Sequence, residues 1–405
     1  MLSWSTSPEI PGGWGGASAT SAHPDTPTAA LELADTLHDQ LGRSPDLLVA
    51  FGSFQHVSGF SDAMNTLRKT LQPRCLIATT AESILGDDVE LDGVSGLSAL
   101  ALHLPGVRLT PWRSTPTHPL PLSKPEQLPE RIGLARESKC ILMFGDPFTT
   151  PTHRILQTLS QSRGEANALP IIGGLSSGGS RPGINRLVLD DTFQTSGAVG
   201  VTLNGPLNCD FIVSQGCRPV GQPMVVTGVK DKHVITELGG YPALQQLQKT
   251  AESLPQHERE LLQNGLLIGL VVDENRDHFG RGDFLVRSVL GADQANGAIS
   301  IGAVIRPGQT VQFQIRDASA AHEDLQLLLD GQQLDSDPFG AMLISCNGRG
   351  KSLFGSEGHD ISMTRRRLNS PPLAGFFAAG EFGPIGNESY LHGHTAVLTL
   401  FRPGH

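Results

Sequence analysis

The chain has 405 residues and a formal net charge of −10, so it lacks the basic face with which a protein displaces counterions from nucleic acid or docks on anionic lipid. Only 17% of residues are charged and 5% aromatic, against 47 glycines and 28 prolines, which favours strands joined by tight turns over long charged helices. At roughly 100–200 residues per domain, the length implies two or three domains with cores that need no disulfide or metal.

Residues 1–28 are rich in Gly, Ser, Thr, Pro and Ala without periodicity, which predicts a flexible arm. Neither a basic start nor an apolar h-region is present there. The best apolar run, Leu266–Val272, falls short of the roughly 20 residues a membrane helix needs. A cytoplasmic location with no membrane partner is therefore expected. A helix is predicted over Thr28–Leu41, where Leu31, Leu33, Ala34, Leu37 and Leu41 suit one face.

An internal repeat comes next. Its first copy reads as the strand DLLVAFGSF, a helix carrying Phe60, Met64, Leu67 and Leu71, the strand CLIATT, a glycine-containing loop and the strand GLSALALHL. Pro105–Pro129, with Trp112 inside it, reads as an extended surface connection. The second copy starts at Lys139 with CILMFGDPF. Thr150 and Pro151 then suit a helix start, Ile155, Leu156 and Leu159 its buried face, and PIIGGLSSGGS, NRLVLD and SGAVGVTL complete the copy. Two hairpin-rich stretches come after it, split by a charged, Gln-rich helical region over Tyr241–Asn264 that ends before Gly265. The third copy starts at Gly340 with AMLISCNGRG, continues through a less regular helical stretch to Leu368, and closes with PLAGFFAAGEFGPI and HTAVLTLF.

Residues 139–204 and 340–402 match each other best and are expected to superpose. The fold expected is α/β, two related domains with mixed β-sheets flanked by helices and internal strand–helix–strand–strand repeats. The domains are placed at 29–240 and 241–405, after the arm at 1–28. Cys75, Cys140, Cys209, Cys217 and Cys346 form no CxxC pair and sit largely in apolar runs, so free and mostly buried thiols are expected. No residue cluster has zinc spacing, and neither metal nor cofactor is expected.

Three turns carry the candidate chemistry. In IIGGLSSGG, Gly173 and Gly174 would let a ligand approach the backbone, and Ser176 and Ser177 add hydrogen-bonding hydroxyls. The same run also reads as a tight turn beside a packed sheet, and it is neither a P-loop nor a dinucleotide fingerprint. In SCNGRG, Arg349 could clamp a carboxylate beside Asn347. Cys346 could be a nucleophile if its thiolate were stabilised, or an inert thiol. In AAGEFGPI, Gly380 precedes Glu381, which could receive an amino group or serve as a partner for Arg349. The three turns are expected to converge on one pocket where the two domains meet. His392 and His394 would share a face if they lay on one strand, and read as a solvated or structural pair. Asp273, Glu274, Asp277 and Asp283 lack EF-hand spacing and read as a solvated loop.

The order GDPF, IIGGLSSGG, QGCRPVG, GRGDFLVRSVLGAD, QTVQFQIRDA, SCNGRG and GFFAAGEFGPI resembles the FIST family from about residue 45 to residue 402. The resemblance implies a FIST N-terminal domain followed by a FIST C-terminal domain. It also implies an intracellular sensory module for small ligands such as amino acids, coupled here to a separate signalling protein because no output domain or F-box is found. The family brings no catalytic set. The alternatives are a hydrolase or transferase using Cys346 or Ser177, and a protein-interaction adaptor without a ligand.

Overall fold

The computed structural model describes residues 13–161 and 169–404. They fall into two compact units that do not follow chain order. Unit 1 holds residues up to 213, then 326–391 and 395–405, and unit 2 holds 214–325 and 392–394.

The first copy opens with β1 (Gly15–Ser21), α1 (Thr26–Leu41), β2 (Leu47–Ser53), α2 (Phe60–Leu71), β3 (Cys75–Ala81), β4 (Ile84–Gly86), β5 (Val89–Leu91) and β6 (Leu97–His103). The arm expected over residues 1–28 is corrected for its second half. β1 pairs along its whole length with β6, while residues 1–12 lie outside the described residues. Its small side chains hide it from a periodicity search, yet Ala17 and Ala19 are buried beneath α1, and a Cβ on Gly16 would strike the Phe339 carbonyl. Asp25 caps α1 by accepting from the Thr28 amide at 3.1 Å.

The second copy comprises β7 (Arg108–Ser114), α3 (Leu128–Ile132), β8 (Ser138–Gly145), α4 (Thr152–Gln161), β9 (Ile171–Leu175), β10 (Leu187–Leu189), β11 (Thr192–Gln194) and β12 (Ala198–Asn204), followed by β13 (Leu207–Gln215). The proline-rich connection expected at Pro105–Pro129 is corrected in part. β7 is a true strand on β12, and Trp112 is buried in the core rather than on the surface. Pro111 is tolerated because β7 ends its sheet.

Unit 2 contains β14 (Cys217–Lys230), β15 (Val234–Leu238), β16 (Tyr241–Pro242), α5 (Ala243–Ser253), α6 (Gln256–Asn264), β17 (Leu266–Val271), β18 (Phe284–Asp293), β19 (Ala298–Ile301) and β20 (Thr310–Arg316). The antiparallel order β14-β20-β17-β18-β19-β15 closes on itself because β15 also pairs with β14, giving a six-stranded barrel. Ile268, Phe313 and Ile315 belong to its apolar cluster, to which Leu254 and Leu262 are added from the helical region. Arg218 joins β14 to Glu258 at 2.8 Å and Asp317 at 2.7 Å. His392 and His394 do not share a strand, since His394 turns the chain with φ +61°.

The chain returns to unit 1 within α7 (Ala318–Gln332). The third copy is then β21 (Gly340–Cys346), α8 (Lys351–Phe354), α9 (His359–Arg367), β22 (Leu373–Ala378), β23 (Glu381–Ile385), β24 (Glu388–His392) and β25 (Thr395–Pro403).

The copies share one plan. In each, the first strand pairs in parallel with the strand after its helix and antiparallel with the last strand: β3-β2-β6, β9-β8-β12 and β22-β21-β25. Residues 139–204 and 340–402 thus have the same strand order, and the mixed α/β repeat is present. Each sheet is completed by a hairpin from another copy. β10-β11 joins β3, β23-β24 joins β9, and β4-β5 joins β22. One apolar cluster draws on all three copies. In it the rings of Phe51, Phe144 and Phe376 touch mutually, with centroids 5.1–5.7 Å apart. The registers align Phe51 and Phe144 with Ile344, and Thr79 and Gly174 with Phe376. The third copy therefore supplies its aromatic from the neighbouring strand, where it fills the same space.

Candidate functional site

All nine candidate residues lie in unit 1, at the ends of β9, β21 and β22. Those ends are stitched together. The Glu82 amide donates to Ser177 Oγ at 2.9 Å, and that hydroxyl donates to the Phe377 carbonyl, so one serine joins all three copies. Ser176 Oγ lies 2.6 Å from Thr79 Oγ1. The Leu175 amide donates to the Gly380 carbonyl at 2.8 Å, and the Asn347 amide to the Ala378 carbonyl at 3.1 Å. Asn347 Nδ2 reaches Glu82 Oε2 at 2.8 Å. The Cys346 thiol is half-buried and accepts from the Gly348 amide at 3.4 Å.

The two glycines have reasons of their own. A Cβ on Gly173, whose φ is +124°, would collide with the Met143 carbonyl, and one on Gly174 would lie 2.9 Å from the Gly380 carbonyl. β9 is squeezed between β8 and β23, and the missing side chains are what lets it fit.

Arg349 is 1% exposed and is held by Asp360, not by Glu381. Nε donates to Asp360 Oδ2 at 2.5 Å and Nη2 to Oδ1 at 3.2 Å, a two-point clamp set by the first turn of α9. Nη1 is buried and finds no hydrogen-bond partner among the described residues. Asp360 also meets His359 Nδ1 at 2.9 Å and Ser345 Oγ at 3.5 Å. Burial alone would raise the Asp360 carboxyl, but the guanidinium beside it and the His359 contact hold it below the ordinary range. The Phe354 ring stacks on His359 at 3.5 Å and lies 5.3 Å beneath the Arg349 guanidinium carbon.

Glu90 enters this cluster from the first copy's hairpin. It is buried, its Oε2 accepts from the Gly358 amide at 2.9 Å, and its Oε1 has no hydrogen-bond partner among the described residues. Burial pushes its carboxyl up to about 7, with Asp360 adding to the rise and the Gly358 amide opposing it. Hairpin register places Glu90 where β11 carries Phe193. Fully buried Glu381 likewise stands where the other hairpins carry Ile84 and Leu187. Asp360, His359 and Glu90 were not singled out from the sequence. Asp360 and His359 could have been sought as polar residues opening a helix just after the Arg349 turn, whereas Glu90 has no local signal. Among the described residues no group of His, Cys, Asp and Glu could hold a metal.

Cys140 and Cys209 approach to 3.9 Å between sulfurs without a bond, and Cys75, Cys140 and Cys217 are buried. Among the described residues no helix is long and apolar enough to cross a membrane.

Comparisons with known proteins agree with the order of the motifs. A model of the FIST N domain matches residues 46–241, and one of the FIST C domain matches residues 243–384. Uncharacterized protein Rv0628c of Mycobacterium tuberculosis (strain ATCC 25618 / H37Rv) is 39% identical over 399 residues, covering 94% of this chain and 98% of its own. Uncharacterized protein Mb0898c of Mycobacterium bovis is 38% identical over 395 residues, covering 93% and 96%. A solved cyanuric acid hydrolase from A. caulinodans overlaps with a TM-score of 0.32 at 9% identity, covering 96% of this chain and 100% of that one, too slight a likeness to bear on fold or chemistry. With matches that run through its repeats and its barrel alike, the chain belongs to the FIST family, an N domain followed by a C domain.

Proposed function

We propose that this protein is a non-catalytic sensor that binds a small, amino-acid-like ligand in the cytoplasm and signals through a separate protein partner. The observation that carries this reading is Arg349, whose buried guanidinium is fixed by Asp360 on two nitrogens and leaves Nη1 unpartnered among the described residues. A ligand carboxylate would suit that nitrogen, and the buried carboxyls of Glu90 and Glu381 would suit an ammonium group. Sensory binding of small ligands is the general role of FIST domains, and the five unbonded thiols suit a reducing compartment.

The test is a thermal-shift screen of the full chain against the amino acids and common metabolites, since a ligand that binds only the folded state raises the melting temperature. The double variant Arg349→Met/Asp360→Met removes both charges together and avoids stranding either one. Loss of the ligand's shift in a folded double variant supports the reading, and an unchanged shift overturns it. A second reading, a Cys346-dependent hydrolase or transferase, draws on the His359–Asp360 hydrogen bond. It requires Cys346→Ala to abolish turnover of an acyl substrate.

A further inference from the structure

Cys140 lies on β8 and belongs to the apolar cluster that all three copies share. The registers that align Phe51, Phe144 and Ile344 put Leu47 and Gly340 at its place in the other copies. The repeat therefore does not call for a thiol there. Cys209, on β13, is half-buried and packs against the same cluster. Its sulfur lies 3.9 Å from that of Cys140.

The two strands are held unequally. β8 is paired on both sides, by β9 and β12, whereas β13 ends its sheet and is paired only with β25. Asn208 Nδ2 donates to the Pro403 carbonyl at 3.2 Å, and Asp210 receives Arg402, so the ties of β13 run to β25. An edge strand held on one side can yield toward the S–S bond length of about 2 Å. The thiols also differ in access, Cys140 being fully buried and Cys209 half-buried. The hydrogen bond to Cys140 and burial push the Cys209 thiol well above its ordinary range. The pair is thus slow to react at neutral pH and calls for sustained oxidant.

We propose that Cys140 and Cys209 are a peroxide-oxidised dithiol, closing to a reversible disulfide that fastens β13 to the sheet of the second copy. Cys209 meets the oxidant first. Its sulfur bonds to one oxygen of hydrogen peroxide as the O–O bond breaks, and the departing hydroxide takes the thiol proton and leaves as water. The Cys140 sulfur then attacks the sulfur of the Cys209 sulfenic acid. The S–S bond forms, the S–O bond breaks, and a second water leaves with the Cys140 proton. The two thiols give up two electrons and two protons, and one peroxide becomes two waters. β13 is the last strand before the chain enters unit 2 at Ser214, so the bond anchors the strand by which the chain leaves unit 1. None of the residues around Arg349 takes part.

Prolonged exposure of the native full chain to excess hydrogen peroxide, followed by thiol counting in denaturant and peptide mass mapping, tests this. The count should fall from five to three, with the Cys140 and Cys209 peptides joined within one chain, and dithiothreitol should restore five. Because Cys346 is also half-buried, the count is repeated in Cys346→Ser, where it should fall from four to two. Oxidation should move the urea midpoint of the wild type upward and leave that of Cys209→Ala where it was. Cys140 and Cys209 that stay open to alkylation overturn the proposal. So do a Cys209 sulfinic acid beside a free Cys140, a link between other cysteines, and a linked protein whose urea midpoint does not rise.

Discussion

The first and third copies share a strand frame and differ in the link that leaves the first strand. After β2 the chain reaches α2 through Phe54–Gly59. Ser53 Oγ accepts the Gly96 amide at 2.9 Å, and the one buried titratable side chain of that link, His56, lies 2.8 Å from Thr26 Oγ1. After β21 the chain takes the longer path Asn347–Gly358, places Arg349 and Asp360 out of reach of water, and draws in Glu90 from a distant hairpin. Both links close the same kind of sheet, so the buried charge in the third copy is something the frame does not require. An apolar pair of like volume would serve stability as well or better than a buried ion pair. One of the departures from the repeat, Glu90 for Phe193, meets the one link that also departs in length, where it accepts from the Gly358 amide.

The most severe test of this contrast is Asp360→Ala. It leaves Arg349 buried without its counter-charge and should cost about 3–5 kcal/mol in urea unfolding, whereas the Met/Met double variant should cost far less. Phe376→Ala is the control in the shared frame. Losing one ring of the central triad should cost a similar 3–5 kcal/mol or so, with no dependence on pH.

Glu90→Gln adds a sign to the contrast. The folded carboxyl titrates near 7, against an ordinary value of 4.5, so the unfolded chain loses this proton more readily. Stability is therefore fullest below pH 4.5, declines as pH rises through 7, and is flat beyond. The variant should be more stable than wild type at pH 8 by on the order of 2 kcal/mol and nearly equal to it at pH 4.5, as urea unfolding at the two pH values would read. A next step down is Gly173→Ala, expected to cost about 1–3 kcal/mol from strain at its φ of +124°. The first copy already carries Ala78 at the matching register position. Smallest is Ser177→Ala, which removes the hydroxyl linking the three copies and should cost about 1 kcal/mol by thermal melting.

Much of the frame was legible because its strands are apolar runs separated by glycine, and equivalent places at strand ends put Leu175 and Ser177, Asn347, and Phe377–Gly380 within hydrogen-bonding reach of one another. β1 was hidden because Gly, Ala, Ser and Thr leave no hydrophobic signature. Arg349's partner was misjudged because Asp360 sits in the first turn of α9, on the far side of an irregular segment. Glu90 could not be read at all. It precedes Arg349 by more than half of the chain and reaches the Gly358 amide beside Asp360 only because β4-β5 is lent to the sheet of β22.

That loan also sets a schedule for the growing chain. Beyond its own hairpin partner β5, β4 has no strand to lie against until β22 leaves the ribosome roughly 290 residues later, about 15–60 s at about 5–20 residues per second. Through that interval Ile84 and Leu85, fully buried in the finished protein, belong to a hairpin without its sheet. The first sheet closes sooner, when β10 arrives to cover β3. Synthesis therefore leaves the oldest hairpin waiting for one of the youngest strands, and a chain stopped before Leu373 would carry an unseated hairpin near its beginning as well as the open edges of β9 and β21 further on.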